Sequence, residues 1–207
     1  MRLGVVLMCC LFILCFTRAA EKPLLRLGHT CAHWAALSLM LLALNAVTLR
    51  PLVELSINPA SILLCVLTAL AAVKSSGFLS LLKALALAVP AGLLMLAICR
   101  LMASGYINLA EPGLILALCG TAFMAMMRQS PAAALFGVSL APLLLAVFEA
   151  ALDLYAFGYT VILLGAPVAF DAQVAGLFLT GMLFAFVFYR GERREGIKKA
   201  GRASARP

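Results

Sequence analysis

Apolar stretches of membrane length recur from one end of this chain to the other, and no other feature constrains the fold as tightly. They cover residues 3–17, 32–49, 57–73, 78–102, 113–127, 132–152 and 168–189. Such segments cannot remain in water, and in lipid only helices or closed barrels satisfy every backbone N–H and C=O. The runs are rich in Leu and Ala and lack the period-two alternation of a barrel strand. The expected fold class is therefore all-α: a polytopic transmembrane helix bundle of about seven spans. A full crossing needs about 20 residues, so the first and fifth segments are short for the task.

The basic residues give the count a test, because short loops carrying Lys and Arg prefer the cytoplasm. The tail holds Arg190, Arg193, Arg194, Lys198, Lys199, Arg202 and Arg206, which sets the C-terminus inside. Counting back through seven crossings sets the N-terminus outside. Arg18, Lys22, Arg26, Lys74, Lys83 and Arg128 then also fall inside, and Arg2, Arg50 and Arg100 fall outside, so 13 of 16 basic residues share one side. The expected location is the bacterial inner (cytoplasmic) membrane. Arg2, the first apolar core and Thr17-Arg18-Ala19 also fit a cleavable signal peptide, but a secretory signal carries its charge in front, and here the excess follows. The anchor reading is preferred.

Composition leaves no room for a soluble domain. Residues 1–190 read as one membrane domain and residues 191–207 as a basic cytoplasmic tail, disordered or lying against anionic headgroups. Positive-inside topology accounts for the net charge of +8, so no nucleic-acid partner is implied. The seven cysteines include no C-x-x-C pair and read as small apolar residues. No phosphate loop, dinucleotide fingerprint, zinc-hydrolase motif or nucleophile elbow appears. The chain is expected to carry no catalytic residue, cofactor or metal of its own.

Ionisable groups at membrane depth are costly, so each is a functional candidate. Glu149 leads, near the outer end of the sixth segment. Asp153 follows at i+4 on the same helix face. Asp171 opens the last segment at similar depth, and Arg100 ends the fourth on the same side. A carboxylate in a dry helix interface can carry a proton, and a neighbouring Arg can tune it. The plainer alternative is that these groups meet water or headgroups. Lys83, near the cytoplasmic end of the fourth segment, either snorkels out or carries a proton. His29 and His33 share a face at i, i+4, a spacing that suits a metal or proton uptake, though no third ligand lies nearby and Trp34 marks the headgroup level. Pro90, Pro142 and Pro167 can kink or break helices. Gly165-Ala166-Pro167 reads as a break, with residues 159–164 as a short re-entrant or surface piece before it. Ala172, Gly176 and Gly181 would let another helix approach closely, from a partner or from within the chain.

The second half resembles a known family. Met127-Arg128-Gln129-Ser130 forms a short hinge, Leu135-Phe136-Gly137 opens the next helix, and the final helix runs from Asp171 to Tyr189-Arg190. Together these resemble the C-terminal part of hydrogenase-4 component E, which is similar to subunit K of NADH–quinone oxidoreductase. The three-helix likeness spans about residues 113–190. It implies a small, non-catalytic membrane subunit of a complex I-like hydrogenase or oxidoreductase, with other membrane subunits and lipid as partners. It also implies a structural role and a place in a proton or sodium translocation path. One departure bears on that path. The family's glutamate, in a Leu-x-Glu-Asn-Gly-like stretch, is replaced here by Val138-Ser139-Leu140-Ala141-Pro142-Leu143. Glu149 lies two turns further on, about 10 Å closer to the outer surface. A displaced path would use it, and without one the scaffolding role gains weight. The alternatives are a stand-alone small transporter, or an assembly or anchoring protein without transport activity.

Overall fold

The computed structural model describes residues 3–17, 31–105 and 111–204, with the backbone alone for residues 187–204. Among them run seven helices: α1 (Leu3–Phe16), α2 (Cys31–Asn45), α3 (Pro59–Ser76), α4 (Phe78–Ala103), α5 (Pro112–Met126), α6 (Pro131–Phe157) and α7 (Pro167–Ser204). Four of them open on proline, whose missing N–H costs nothing in the first turn. Asn58 caps α3 by accepting from the Ala60 N–H at 3.0 Å, and Ser130 caps α6 through the Ala133 N–H at 3.4 Å. Gly158, at φ 74°, ends α6 in the left-handed region, its N–H bonded to the Leu154 carbonyl.

Consecutive helices run up and down. The Gly4 N–H donates to Asp171 and so brings the start of α1 beside the start of α7. Asn58 donates to Asn45 at 2.7 Å, joining the end of α2 to the start of α3. Ser76 and Ser130 meet at 2.7 Å where α3 ends and α6 begins. The bundle thus has a hinge end, around Ser130, and an opposite end that carries a small sheet.

The fold is helical as expected, with this small sheet as an addition at one end. Strands β1 (Leu49–Leu52), β2 (Leu55–Ile57) and β3 (Ile162–Leu164) form three strands in that order. β1 and β2 are antiparallel, and β2 pairs with β3 in parallel, Leu55 opposite Ile162 and Ile57 opposite Leu164. The piece expected over residues 159–164 is this third strand and the turn before it. The second apolar segment was expected to stay helical to residue 49, but α2 stops at Asn45 and the chain enters β1. The α7 backbone continues as helix to Ser204.

α3, α4, α6 and the Pro167–Phe186 part of α7 are long and apolar enough to cross a bilayer. α1, α2 and α5 have 14, 15 and 15 residues. That length gives about 21–23 Å, short of a roughly 30 Å hydrocarbon core. The expectation of seven full spans therefore narrows to four helices that meet the length. Leu79, Leu82, Leu93, Leu118 and Met182 lie exposed along the helices, as suits a surface bathed by lipid.

α6 and α7 form the centre. Around Met95, Leu116, Met124 and Val138 they pack with α4 and α5, and around Leu41, Leu64, Phe170 and Val174 α7 packs with α1, α2 and α3. A third cluster, Ala72, Ala84, Ala133 and Phe136, closes the hinge end between α3, α4 and α6.

Candidate functional site

Glu149 and Asp153 stand one turn apart near the end of α6, and the last turns of α4 bring Cys99 and Arg100 against them. Arg100 Nη2 lies 3.4 Å from Asp153 Oδ1, with the two side chains 54% and 45% exposed. A pair that open to solvent contributes at most about 1 kcal/mol. Its consequence is electrostatic: Arg100 bridges Asp153 and also acts on the half-buried Glu149, so two carboxylates share one guanidinium.

Behind this trio lies a cavity of about 540 Å³. Cys99 and Met102 of α4, the stretch of α6 from Pro142 to Asp153, and Val161 and Ala169 at the β3–α7 corner supply its walls. From Asp153 to Pro142 it follows α6 for about 16 Å. Glu149 sits between its mouth and its floor. Thr160 directly precedes Val161. Its hydroxyl is, among the described residues, the one buried side-chain polar atom without a hydrogen-bond partner.

The floor coincides with a proline kink. Pro142 has no N–H for the Val138 carbonyl, and its ring crowds the preceding turn. Gln173 of α7 responds to that opening: its Nε2 donates to the neighbouring Ser139 carbonyl at 2.6 Å. Ser61 of α3 donates to the Gln173 carbonyl oxygen, and Thr68, also of α3, meets the Ser139 hydroxyl at 2.7 Å. Ser61, Ser139 and Gln173 are fully buried. A second pair, Thr121 and Thr180, links α5 to α7 at 3.2 Å. These groups form a neutral polar seam at mid-bundle. Towards the hinge end it stops at Ala72, Ala133 and Phe136, beyond which Ser76, Ser80 and Ser130 form a separate hydroxyl cluster.

The structure therefore brings together Glu149, Asp153 and Arg100 and sets the other two candidates apart. Asp171 does not line the cavity. It accepts the Gly4 N–H at 2.7 Å, an orphan donor of the first turn of α1, and α5 approaches it so closely that a Cβ on Gly113 would lie 2.9 Å from its own Cβ. It acts as a cap between helices. Lys83 is exposed in the second turn of α4, about 26 Å along the helix from Arg100. Of the two histidines, His33 is exposed at the hinge-end start of α2, and His29 lies outside the described residues. Ala172 and Gly176 face inward, the latter against Val138, whereas Gly181 has open space around its Cα.

The polar seam escaped the sequence reading, which searched for charges. Its signals were present: Gln173 sits in the last apolar run, and Ser139 lies three residues before Pro142. The chain matches no protein-family model, no curated protein and no solved structure.

Proposed function

We propose that this chain is a multi-pass, non-catalytic subunit of a larger membrane assembly of the complex I-like hydrogenase or oxidoreductase class. In this reading it is chiefly a scaffold, and it contributes an acidic vestibule to a proton or sodium path. Its seven helices would pass through the bacterial inner membrane with the sheet end outside and the hinge end and tail in the cytoplasm. The short helices α1, α2 and α5 would be accommodated by local thinning or by the flanking loops.

One observation carries the functional part: the vestibule beside Glu149 is lined from Asp153 at the sheet end as far as Pro142 at mid-bundle. Glu149 can exchange a cation with the sheet-end surface, but the floor at Pro142 is followed by neutral hydroxyl and amide groups and then by the apolar plug of Ala72, Ala133 and Phe136. Among the described residues no Asp, Glu, His, Lys or Arg stands at mid-depth along this line. A chain built this way does not carry an ion across by itself, and it needs neighbouring subunits to complete a path. The affiliation with hydrogenase-4 component E rests on the hinge, the Leu-Phe-Gly opening and the last helix.

The test has two arms. Extraction in a gentle detergent should bring large membrane subunits with the chain, and recovery as a lone homo-oligomer would reject the subunit reading. In the assembled complex, Glu149→Gln should reduce coupled ion movement several-fold and leave assembly intact. Unchanged pumping would remove Glu149 from the path.

A further inference from the structure

We infer that the sheet-end cavity binds a monovalent organic cation, a protonated amine or quaternary ammonium group carried on an apolar body. The inference rests on the membrane placement proposed above but not on membership of an oxidoreductase.

Size is the first argument. A proton relay needs only a carboxylate and a file of hydrogen-bonding groups. The space here is a half-open groove of about 540 Å³, large enough to admit a small organic molecule. Lining is the second. A bare inorganic cation requires a shell of about six or more oxygen ligands. Among the described residues no group of three or more His, Cys, Asp or Glu side chains converges on a point. The cavity offers two carboxylates at one side, and apolar walls from Met102, Leu145, Ala146, Val168 and Ala169 elsewhere. That division suits a ligand with one charged head and an apolar remainder.

Charge sets the valence and the sign. Glu149 and Asp153 supply two negative charges and Arg100 one positive, which leaves a single negative charge in a cleft with low-dielectric walls. Arg100 bridges Asp153 and also acts on Glu149, so Glu149, half-way down the cavity, is the carboxylate without a direct ion pair. An anion would meet repulsion there, and a dication would be under-compensated. The lining runs from Asp153 to Pro142, so the site is approached from the sheet end.

The chain purified in detergent should bind tetraphenylphosphonium saturably, with one site per chain. Glu149→Gln should weaken that binding at least about tenfold, as expected for loss of a partly desolvated counter-charge. Lys83→Gln, at the other end of the bundle, should leave it unchanged. Ala146→Phe narrows the cavity with the carboxylates intact and should weaken binding too, provided the variant elutes as a single species. Tetraphenylborate, equal in shape and opposite in charge, should not compete. Sodium chloride should compete no better than choline chloride at matched ionic strength.

Equal binding of both probes with no response to Glu149→Gln would mean apolar filling, by detergent or a lipid chain, and would overturn the inference. Competition by sodium alone would overturn it in favour of an inorganic cation. If tetraphenylphosphonium does not bind while Glu149→Gln still lowers ion movement in the assembled complex, this inference falls and the vestibule's place in an ion path stands. If it binds as described while that variant leaves pumping unchanged, the reverse holds.

Discussion

A glutamine held away from water among three helices costs several kcal/mol unless its amide atoms find partners. Gln173 finds them on two helices at once, a serine hydroxyl on α3 and a backbone carbonyl beside the proline kink on α6. In lipid such bonds contribute modestly one at a time, about 0.6–2 kcal/mol, because the alternatives also seek partners. Removing the glutamine alone is worse than removing a pair, since the Ser61 hydroxyl and the Ser139 carbonyl stay behind without it. Gln173→Leu should therefore lower resistance to denaturation in detergent by about 1–3 kcal/mol. Ser61→Ala removes one hydroxyl and leaves the bond to Ser139 standing, so its cost should be smaller. Equal stability of Gln173→Leu and the parent, followed by tryptophan fluorescence during titration with sodium dodecyl sulfate, would show that the seam is incidental to packing. Glu149 belongs to a different class of residue. Its contacts stabilise little, and its substitution should register in ion movement and ligand binding while the melting temperature stays put.

At the level of the helices, close approach depends on a few missing side chains. A Cβ on Gly137 would collide with Met124 of α5, and one on Gly176 would collide with Val138 of α6. Gly137→Leu should cost about 3 kcal/mol or more, at the upper limit for overpacked cores, and should appear as aggregation during size exclusion in detergent. Gly181→Leu, on α7 with nothing near the position a Cβ would take, should change stability by less than about 0.5 kcal/mol. Sequence composition alone could not tell Gly176 from Gly181, because both sit on α7 in an apolar run and the neighbour each one faces is set by packing. The helices themselves were legible. Each starts within two residues of its apolar segment, since proline, asparagine and serine mark the starts so clearly. The ends were harder. α6 runs on to Phe157 because Asp153 sits at an exposed terminus and tolerates the helix until Gly158 stops it. The apolar run after Asn45 continues as strand, because Leu49–Leu52 turns back on Leu55–Ile57, which in turn pairs with Ile162–Leu164, a partner more than a hundred residues away that no local pattern announces. The candidate site was legible to the same degree. Glu149, Asp153 and Arg100 could be set at one end by counting helices. The cavity between them, and the removal of Asp171 to cap α1, depend on how helices rotate about their axes, which hydropathy does not carry.

Across the whole molecule the charges are sorted along the bundle axis. Among the described side chains, the sheet end holds Arg50 and Arg100 with Glu54, Glu111, Glu149, Asp153 and Asp171, and the hinge end holds Lys74, Lys83 and Arg128 with no carboxylate. Helix packing does not require that division, because these residues stand in loops and terminal turns. A membrane does favour it, through retention of cationic loops in the cytoplasm. The same asymmetry decides which compartment the vestibule samples, so orientation and function stand or fall together. Val53, 98% exposed in the turn between β1 and β2, and Arg128, exposed in the hinge, report the two ends. On a background with the native cysteines replaced, Val53→Cys should react with a membrane-impermeant maleimide added to intact cells. Arg128→Cys should react only after the membrane is opened. The converse pattern would turn Glu149 towards the cytoplasm. A cation bound there would then be drawn from the cell interior, and the proposed route of uptake through the sheet end would be untenable, even with every contact within the bundle unchanged.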